Sequence, residues 1–310
     1  MIGLALVALA QYLCGGVSAG EALITNQPAD SLSIVDTGTM KTVADVKLSG
    51  KPAGIAMSPD KRFAYISAPD GQELIEVDAV ARTVTRRLKL GGGPLGIAAH
   101  PTRAEIYIAD WYAHKIAIID TVTFTVVAEI QVGQSPSGLA VTPDGTRLIS
   151  ADRDSDQISI IDLAKRAVVA TVATGKRPFG VTIDAEGRFA YTANVASDDV
   201  SAIDIAAQKN VRTIKTGRRP YAVALASGRG FVTDQYSGTV TVFEAATGAV
   251  AQTLEACDHP EGIEADAAEA YVYVACWGDN IVLKIDTKTL QIIAKASVGD
   301  GPRAFGKFLR

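Results

Sequence analysis

A proline recurs along this chain at nearly constant spacing. Successive copies are 42 residues apart, except for one interval of 40. The seven copies are Pro52, Pro94, Pro136, Pro178, Pro220, Pro260 and Pro302. An acidic residue that ends an apolar run keeps the same spacing, at Asp36, Asp78, Asp120, Asp162, Asp204, Glu244 and Asp286. Two markers with seven copies each identify a repeat protein, in which similar units fold one after another.

The content of each repeat predicts four β-strands. Strand A follows the proline and is rich in small residues (54–57), and strand B is apolar and aromatic (63–67). Strand C runs to the repeated acid (157–162), and strand D is more polar (83–88). β-Branched and aromatic residues favour strands, and no segment keeps a helical period. A strand-rich period of about 40–50 residues predicts a β-propeller.

The two ends of the sequence are complementary. Residues 22–48 contain three strands and lack an opening strand A, whereas residues 301–309 form an opening strand without partners. We expect the C-terminal strand to complete the N-terminal blade, because this arrangement leaves no free sheet edge. The sequence therefore predicts an all-β fold: one seven-bladed β-propeller domain over residues 20–310, with four-stranded blades.

Residues 1–19 differ from the repeats. Ile2 to Leu13 is apolar apart from Gln11, and Val17-Ser18-Ala19 has the small-residue pattern of a signal-peptidase site. We predict a signal peptide over residues 1–19, and a truncated start would account for its missing basic region. The apolar run is too short to span a bilayer. The expected location is therefore periplasmic or secreted.

The charge balance narrows the classes of partner. The chain has 30 basic and 34 acidic residues and a net charge of −4. Nucleic-acid-binding and membrane-surface-binding proteins carry basic clusters that this sequence lacks. We expect a monomer that binds neither nucleic acid nor a membrane. The sequence also lacks a Gly-x-Ser-x-Gly elbow and a CxxCH haem motif, and we predict no catalytic residue.

Two segments resemble a known repeat family. Tyr191-Thr192-Ala193-Asn194 and the segment 271–276, each after a Pro-x-Gly strand, resemble the YVTN-type β-propeller repeat. This family includes exported bacterial and archaeal proteins, surface-layer proteins and propeller domains of periplasmic redox enzymes. The resemblance implies an exported propeller. Function remains open, because the same architecture hosts lactonases, dehydrogenase subunits and interaction modules.

The repeat also predicts where a binding site lies. The D–A and B–C loops of a propeller surround the mouth of its central channel, and basic and aromatic residues cluster in these loops. The predicted binding residues are Lys51, Trp111, Arg153, Arg177, Phe179, Arg219, Tyr221, Trp277 and Arg303. Arginine and aromatic residues are enriched at binding hot spots, and a basic arc attracts anions. The alternative is that these arginines pair with Asp152, Asp234 and their neighbours as structural bridges between blades.

Two further groups could hold a metal ion. One is the polar column at the end of strand B, formed by Asp110, Asp152, Asn194 and Asp234, whose oxygens suit a divalent cation such as Ca²⁺. Its alternative role is to cap the B–C turn through hydrogen bonds to the backbone. The other group is Cys257, His259 and Cys276 in the sixth repeat, which could bind copper or zinc. The favoured alternative is a Cys257–Cys276 disulfide, worth about 2–4 kcal/mol.

Three functions follow from these features. The first is an exported binding or accessory module that recognises a partner protein or a small ligand, such as an anion, at the channel mouth, within a periplasmic redox or catabolic system. The second is a lactonase-like or hydrolase-like enzyme with a divalent cation in the polar column. The third is copper or zinc handling by the cysteine and histidine group. No other cofactor is expected.

Overall fold

The computed structural model describes residues 20–310, so the predicted signal peptide lies outside the described residues. The strands, in chain order, are β1 (Glu21–Asn26), β2 (Ser31–Asp36), β3 (Lys41–Lys47), β4 (Gly54–Met57), β5 (Phe63–Ala68), β6 (Glu73–Asp78), β7 (Thr83–Lys89), β8 (Pro94–Ala99), β9 (Glu105–Asp110), β10 (Lys115–Asp120), β11 (Thr125–Gln131), β12 (Pro136–Val141), β13 (Arg147–Asp152), β14 (Gln157–Asp162), β15 (Ala167–Ala173), β16 (Pro178–Ile183), β17 (Phe189–Asn194), β18 (Asp199–Asp204), β19 (Lys209–Lys215), β20 (Pro220–Ala226), β21 (Arg229–Asp234), β22 (Thr239–Glu244), β23 (Val250–Glu255), β24 (Pro260–Ala265), β25 (Tyr271–Cys276), β26 (Ile281–Asp286), β27 (Gln291–Ser297) and β28 (Phe305–Gly306). One short 3₁₀ turn, Arg153–Ser155, interrupts this pattern. Across residues 20–310, no helix is long and apolar enough to cross a membrane.

The strands form seven antiparallel sheets arranged as blades around a channel. Blades one to six start at β4, β8, β12, β16, β20 and β24, and the composite blade contains β1–β3. Strand A is innermost, and the first strands of successive blades contact each other around the ring. In blade four the burial pattern changes from almost fully buried in β17 to mostly exposed in β19, because the outer strand faces solvent. The predicted seven-bladed propeller is confirmed.

The repeated Pro-x-Gly motif follows from crowding around the channel. A Cβ on Gly138 would lie 2.5 Å from the carbonyl oxygen of Phe179, and a Cβ on Gly180 would lie 2.5 Å from that of Tyr221. Glycine therefore allows each inner strand to approach the next blade. In blade four the pairing of β16 with β17 shifts register between Pro178 and Val181. Such a bulge changes the direction in which a side chain points, and here it affects the residue after the proline.

The repeated acid at the end of strand C caps a turn. In blade two, Asp120 Oδ1 accepts hydrogen bonds from the backbone N–H groups of Val122 and Thr123, both at 2.8 Å. These bonds hold the pKa of the Asp120 carboxyl below its usual value. The short side chain of aspartate suits this geometry, which explains the second repeat marker.

The C-terminal segment closes the ring between two blades. Arg303 N–H donates to Thr25 O at 2.8 Å, and Leu23 N–H donates to Phe308 O at 2.9 Å, so the segment lines β1 of the composite blade. Its centre, β28, also pairs in parallel with β4 of blade one. The predicted closure by the C-terminal strand is confirmed, and the contact with blade one is an addition that the repeat did not predict.

Candidate functional site

A cavity of about 360 Å³ lies at the channel mouth where the D–A and B–C loops meet. We call it the mouth cavity, and its lining residues are Gln27, Pro69, Gly93, Leu95, Trp111, Tyr112, Arg153, Phe179, Val195, Arg219, Tyr221, Gln235 and Arg303. Six of the nine predicted binding residues are in this set. Lys51, Arg177 and Trp277 lie outside it. The mouth cavity has no acidic lining residue, so its charged groups are three arginines.

Lys51, Arg177 and Trp277 have other contacts. The Lys51 ammonium pairs with Asp30 at 3.2 Å, and Arg177 lies 3.7 Å from the Asp154 carboxylate. Trp277 is 37% exposed and packs edge-on against the His259 ring. These three residues therefore belong to the loop face around the mouth cavity.

The backbone before the proline is left-handed in most blades. Arg177 and Arg219 have φ values of 56° and 55°, although neither is glycine. Such a conformation costs about 1–2 kcal/mol for an L-residue. An acid 21 residues earlier holds each one: Asp156 accepts the Arg177 N–H and Asp198 accepts the Arg219 N–H, both at 2.8 Å. This arrangement presents a basic side chain at the mouth.

A hydrogen-bond relay positions two of the cavity arginines. Arg219 Nε donates to Gln235 Oε1 at 2.7 Å, and Gln235 Nε2 donates to Glu261 Oε1 at 2.6 Å. Arg303 Nε donates to Glu261 Oε2 at 2.8 Å. The relay uses the Nε–H group of both arginines, and within residues 20–310 their terminal nitrogens make no hydrogen bond. Burial opposes the charge of Arg303, but Tyr221 and Glu261 outweigh it and raise its pKa.

Tyr221 lines the same cavity and carries a buried, unpartnered hydroxyl. Its side chain is 3% exposed, and its hydroxyl has no hydrogen-bond partner within the described residues. Burial raises the pKa of Tyr221, so the hydroxyl stays protonated and can donate. A buried polar group without a partner costs about 1–3 kcal/mol. A ligand acceptor would remove that cost.

Arg153 adds a third positive charge. Its guanidinium lies 5.2 Å from the centre of the Trp111 ring, and its NH1 donates to Asp154 at 2.7 Å. Burial lowers the pKa of Arg153, and the charges of Arg177 and Arg219 lower it further while Asp154 opposes them. Positive groups therefore repel one another here, and a bound anion would relieve the repulsion.

An aromatic cluster divides the channel. Phe179 lies 4.7 Å from Tyr221 and 4.9 Å from Phe305 between ring centres, and Tyr221 lies 5.5 Å from Phe305. Phe179 and Tyr221 line the mouth cavity, whereas Phe305 lines a second cavity of about 460 Å³ toward the opposite face. The aromatic cluster thus separates the mouth cavity, with its three arginines, from the second cavity.

The polar column at the end of strand B does not form a metal site in this structure. Each member bonds within its own blade: Asp110 accepts Gly93 N–H, Asp152 accepts the Ser150 and Ser159 hydroxyls, Asn194 donates to Asp199 and Ser201, and Asp234 accepts the Thr239 and Thr241 hydroxyls. Within residues 20–310, no three His, Cys, Asp or Glu side chains cluster so that they could hold a metal ion. These bonds support the alternative in which the column has a structural role within each blade. Hydroxyl groups occupy Asp152 and Asp234, so these two acids do not pair with the arginines. The neighbouring Asp154 does pair with Arg153 and Arg177, as the structural alternative expects.

Blade six holds its two loops together covalently. Cys257 and Cys276 form a disulfide with an S–S distance of 2.00 Å. His259 instead places Nδ1 2.6 Å from the Asp258 carboxylate. The copper or zinc hypothesis is therefore corrected, because the bond removes both thiolates from the ligand set.

Gln235 and Glu261 are the site residues that sequence reasoning did not select. Both belong to the same repeat columns as the predicted residues, at the positions after strand B and after the proline. An amide and a carboxylate are common in such loops, so residue type alone does not mark them. The signal that could have found Glu261 is that it occupies the same column as Arg303, directly after the proline, in the preceding repeat.

Solved structures share this fold at low sequence identity. Hydrazine synthase from Kuenenia stuttgartiensis superimposes with a TM-score of 0.75 and 24% identity, over 82% of this chain and 89% of that chain. A functionally unknown protein from Desulfotomaculum acetoxidans DSM 771 superimposes with a TM-score of 0.77 and 12% identity, over 92% of this chain and 99% of that chain. No protein-family model and no curated protein matches the sequence. These likenesses support the fold alone, and the YVTN-type repeat remains a resemblance.

Proposed function

We propose that this protein is an exported binding module that takes up a small organic anion in the mouth cavity. The observation that carries the proposal is a cavity of about 360 Å³ with three arginines, no acidic lining residue and an unpartnered buried tyrosine hydroxyl. Small-molecule sites are concave and combine apolar surface with a few fixed polar groups. The predicted signal peptide and the disulfide are compatible with an oxidising compartment outside the cytoplasm.

The arrangement favours binding over catalysis. The ionisable groups that line the mouth cavity are three arginines and two tyrosines, and none of these is an activated nucleophile or a general base at neutral pH. Arginine orients an anion through paired N–H donors and stays charged. We therefore assign the cavity a recognition role, in keeping with an accessory protein of a periplasmic redox or catabolic system.

Calorimetric titration with small carboxylates and with inorganic phosphate tests the proposal. We expect saturable binding of at least one anion, with an affinity that falls as the salt concentration rises because the attraction is electrostatic. Arg219→Ala should weaken this binding at least tenfold. Arg177→Ala is the matched control, since it removes the same charge at the same repeat position outside the cavity. Absence of binding for every anion tested would overturn the proposal.

A protein partner on the loop face is the second candidate function. Three side chains form an edge-to-face row beside the mouth cavity: His259 lies 5.7 Å from Tyr236 and 6.2 Å from Trp277 between ring centres. Tyr236 is 51% exposed and Trp277 is 37% exposed. Exposed aromatic rows of this kind are typical of protein interfaces. Cross-linking of the wild type and of a Tyr236→Ser/Trp277→Ser variant in periplasmic extract tests it, and an unchanged set of cross-linked proteins would contradict it.

A further inference from the structure

The mouth cavity has two chemically different walls. One, which we call the anion corner, consists of Arg219, Tyr221 and Arg303. The other, which we call the ring wall, consists of Leu95, Trp111, Phe179 and Val195. A ligand that fills the cavity must satisfy both walls, because buried polar donors require acceptors and apolar surface gains from contact with an apolar body.

The donors of the anion corner suit a carboxylate. The Gln235–Glu261 relay consumes the Nε–H groups of Arg219 and Arg303 and leaves their terminal N–H groups for a ligand. Glu261 is only 2% exposed, so the acceptor that ends the relay lies within the protein. The terminal N–H groups of two guanidinium groups match the two oxygens of a carboxylate, which can accept about four hydrogen bonds.

The ring wall suits a flat apolar body. The Trp111 and Phe179 rings lie 6.3 Å apart and are inclined at 60°, and the Arg153 guanidinium covers the Trp111 ring. Aromatic rings gain energy from offset or edge-on contact with another ring beyond the area they bury. The volume of about 360 Å³ is near the lower end of small-molecule sites, which limits the ligand to one or two rings.

We propose that the ligand is a carboxylate on a one- or two-ring aromatic body, with its oxygens in the anion corner and its ring against the ring wall. This inference rests on the proposed anion-binding function and specifies the ligand class of the same site. Inorganic anions and short aliphatic acids satisfy one wall only, and neutral aromatic compounds satisfy the other only. The protein as proposed discriminates against both.

Four commercially available probes separate these requirements in calorimetric titrations of the full-length mature protein. Indole-3-acetate has both the ring and the charge, indole-3-acetamide has the ring alone, and acetate and inorganic phosphate have the charge alone. We expect indole-3-acetate to bind at least tenfold more tightly than each of the other three. Acetate or phosphate binding equally well would overturn the ligand class and leave the anion site standing. Equal binding of the amide would overturn the role of the anion corner, and failure of every anion would overturn the proposed function itself.

Matched variants locate the two walls. Arg219→Ala removes terminal N–H donors of the anion corner, so it should weaken indole-3-acetate binding at least tenfold. Trp111→Ala should weaken it at least tenfold. Trp277→Ala is the control in the same repeat column outside the cavity, and it should change the affinity less than twofold. Equal losses for the two tryptophan variants would overturn the assignment of the ring wall.

Discussion

Asp234 is a buried carboxylate whose environment favours its protonated form. It is fully buried and accepts hydrogen bonds from Thr239 and Thr241 hydroxyls at 2.9 and 2.7 Å. Burial raises the pKa of Asp234 to about 6, above the ordinary value of 3.8. The native state therefore holds this proton more tightly than the unfolded state does. It follows that the contribution of Asp234 to stability declines as the pH rises from about 4 to about 6.

Replacing Asp234 with asparagine should remove this loss of stability at higher pH. Asn26 occupies the equivalent position in the composite blade and donates to Ser31 and Ser33 at 3.0 and 2.8 Å, so two hydroxyls can accommodate an amide. We predict that Asp234→Asn raises the free energy of unfolding by roughly 1–3 kcal/mol at pH 7.5, and that the gain disappears near pH 4. Urea denaturation at both pH values measures this effect. An equal gain in the free energy of unfolding at both pH values would show that protonation of Asp234 is not responsible.

Residue types predicted which side chains surround the mouth, but not which ones turn into it. Arg177 and Arg219 have the same position in adjacent repeats and nearly the same backbone angles. Arg219 lines the mouth cavity because Gln235 accepts its Nε–H, whereas Arg177 lies beside Asp154. The difference depends on neighbours in other blades, which the spacing of a single sequence does not reveal.

At the scale of the element, blade six replaces a polar cap with a covalent bond. Cys257 precedes the repeat proline by three residues, where Gly133 of blade three contacts Asp152. The hydroxyl-bearing positions of other blades are Ile281 and Leu283 in blade six, so an aspartate at Cys276 would lack partners. The disulfide is consistent with this apolar surrounding.

Removal of the disulfide should destabilise the protein measurably. We predict that Cys257→Ser/Cys276→Ser lowers the free energy of unfolding by about 2–4 kcal/mol, because the bond restricts a loop of the unfolded chain. Cys257→Gly/Cys276→Asp, which copies the blade three pair, should be still less stable because it buries a carboxylate beside apolar residues. Urea denaturation of the oxidised wild type and both variants provides the comparison. A serine variant as stable as wild type would refute the assigned role of the bond.

Strand order was predictable because the proline and the acid each recur seven times at nearly constant spacing. The left-handed backbone conformation of the residue before the proline was not predictable from the sequence. Left-handed residues in this loop are Lys51, Ser135, Arg177, Arg219, His259 and Gly301, and only one of these is glycine. Positive φ values are normally inferred from glycine, but here the side chains of Asp30, Asp156 and Asp198 accept the backbone N–H groups of Lys51, Arg177 and Arg219.

At the scale of the whole molecule, stability depends on closure of the ring. Phe308 is fully buried against the composite blade, and the Glu264 carboxylate of blade six accepts the backbone N–H of Leu309 at 2.8 Å. The complementary ends of the sequence predicted this closure. They did not predict the parallel pairing of β28 with β4, because that contact depends on how far the last strand shifts toward blade one.

A cavity in the closing strand should weaken the entire ring. We predict that Phe308→Ala lowers the free energy of unfolding by about 3–5 kcal/mol, as expected for a buried aromatic residue. Unfolding should stay a single transition, because every blade contacts two neighbours. Leu309→Ala, at a partly exposed neighbouring position, serves as the control and should cost less. A loss below about 1 kcal/mol for Phe308→Ala would mean that the closing strand contributes little.

The most direct test of the central claim uses the two tryptophans of the chain as reporters. In a Trp277→Phe variant, Trp111 is the remaining tryptophan and lines the mouth cavity. Titration of this variant with indole-free aromatic carboxylates such as benzoate should change the Trp111 fluorescence saturably, and Arg219→Ala in the same background should weaken the response at least tenfold. A fluorescence that does not respond to any aromatic carboxylate, or that responds equally without Arg219, would contradict anion recognition at the channel mouth.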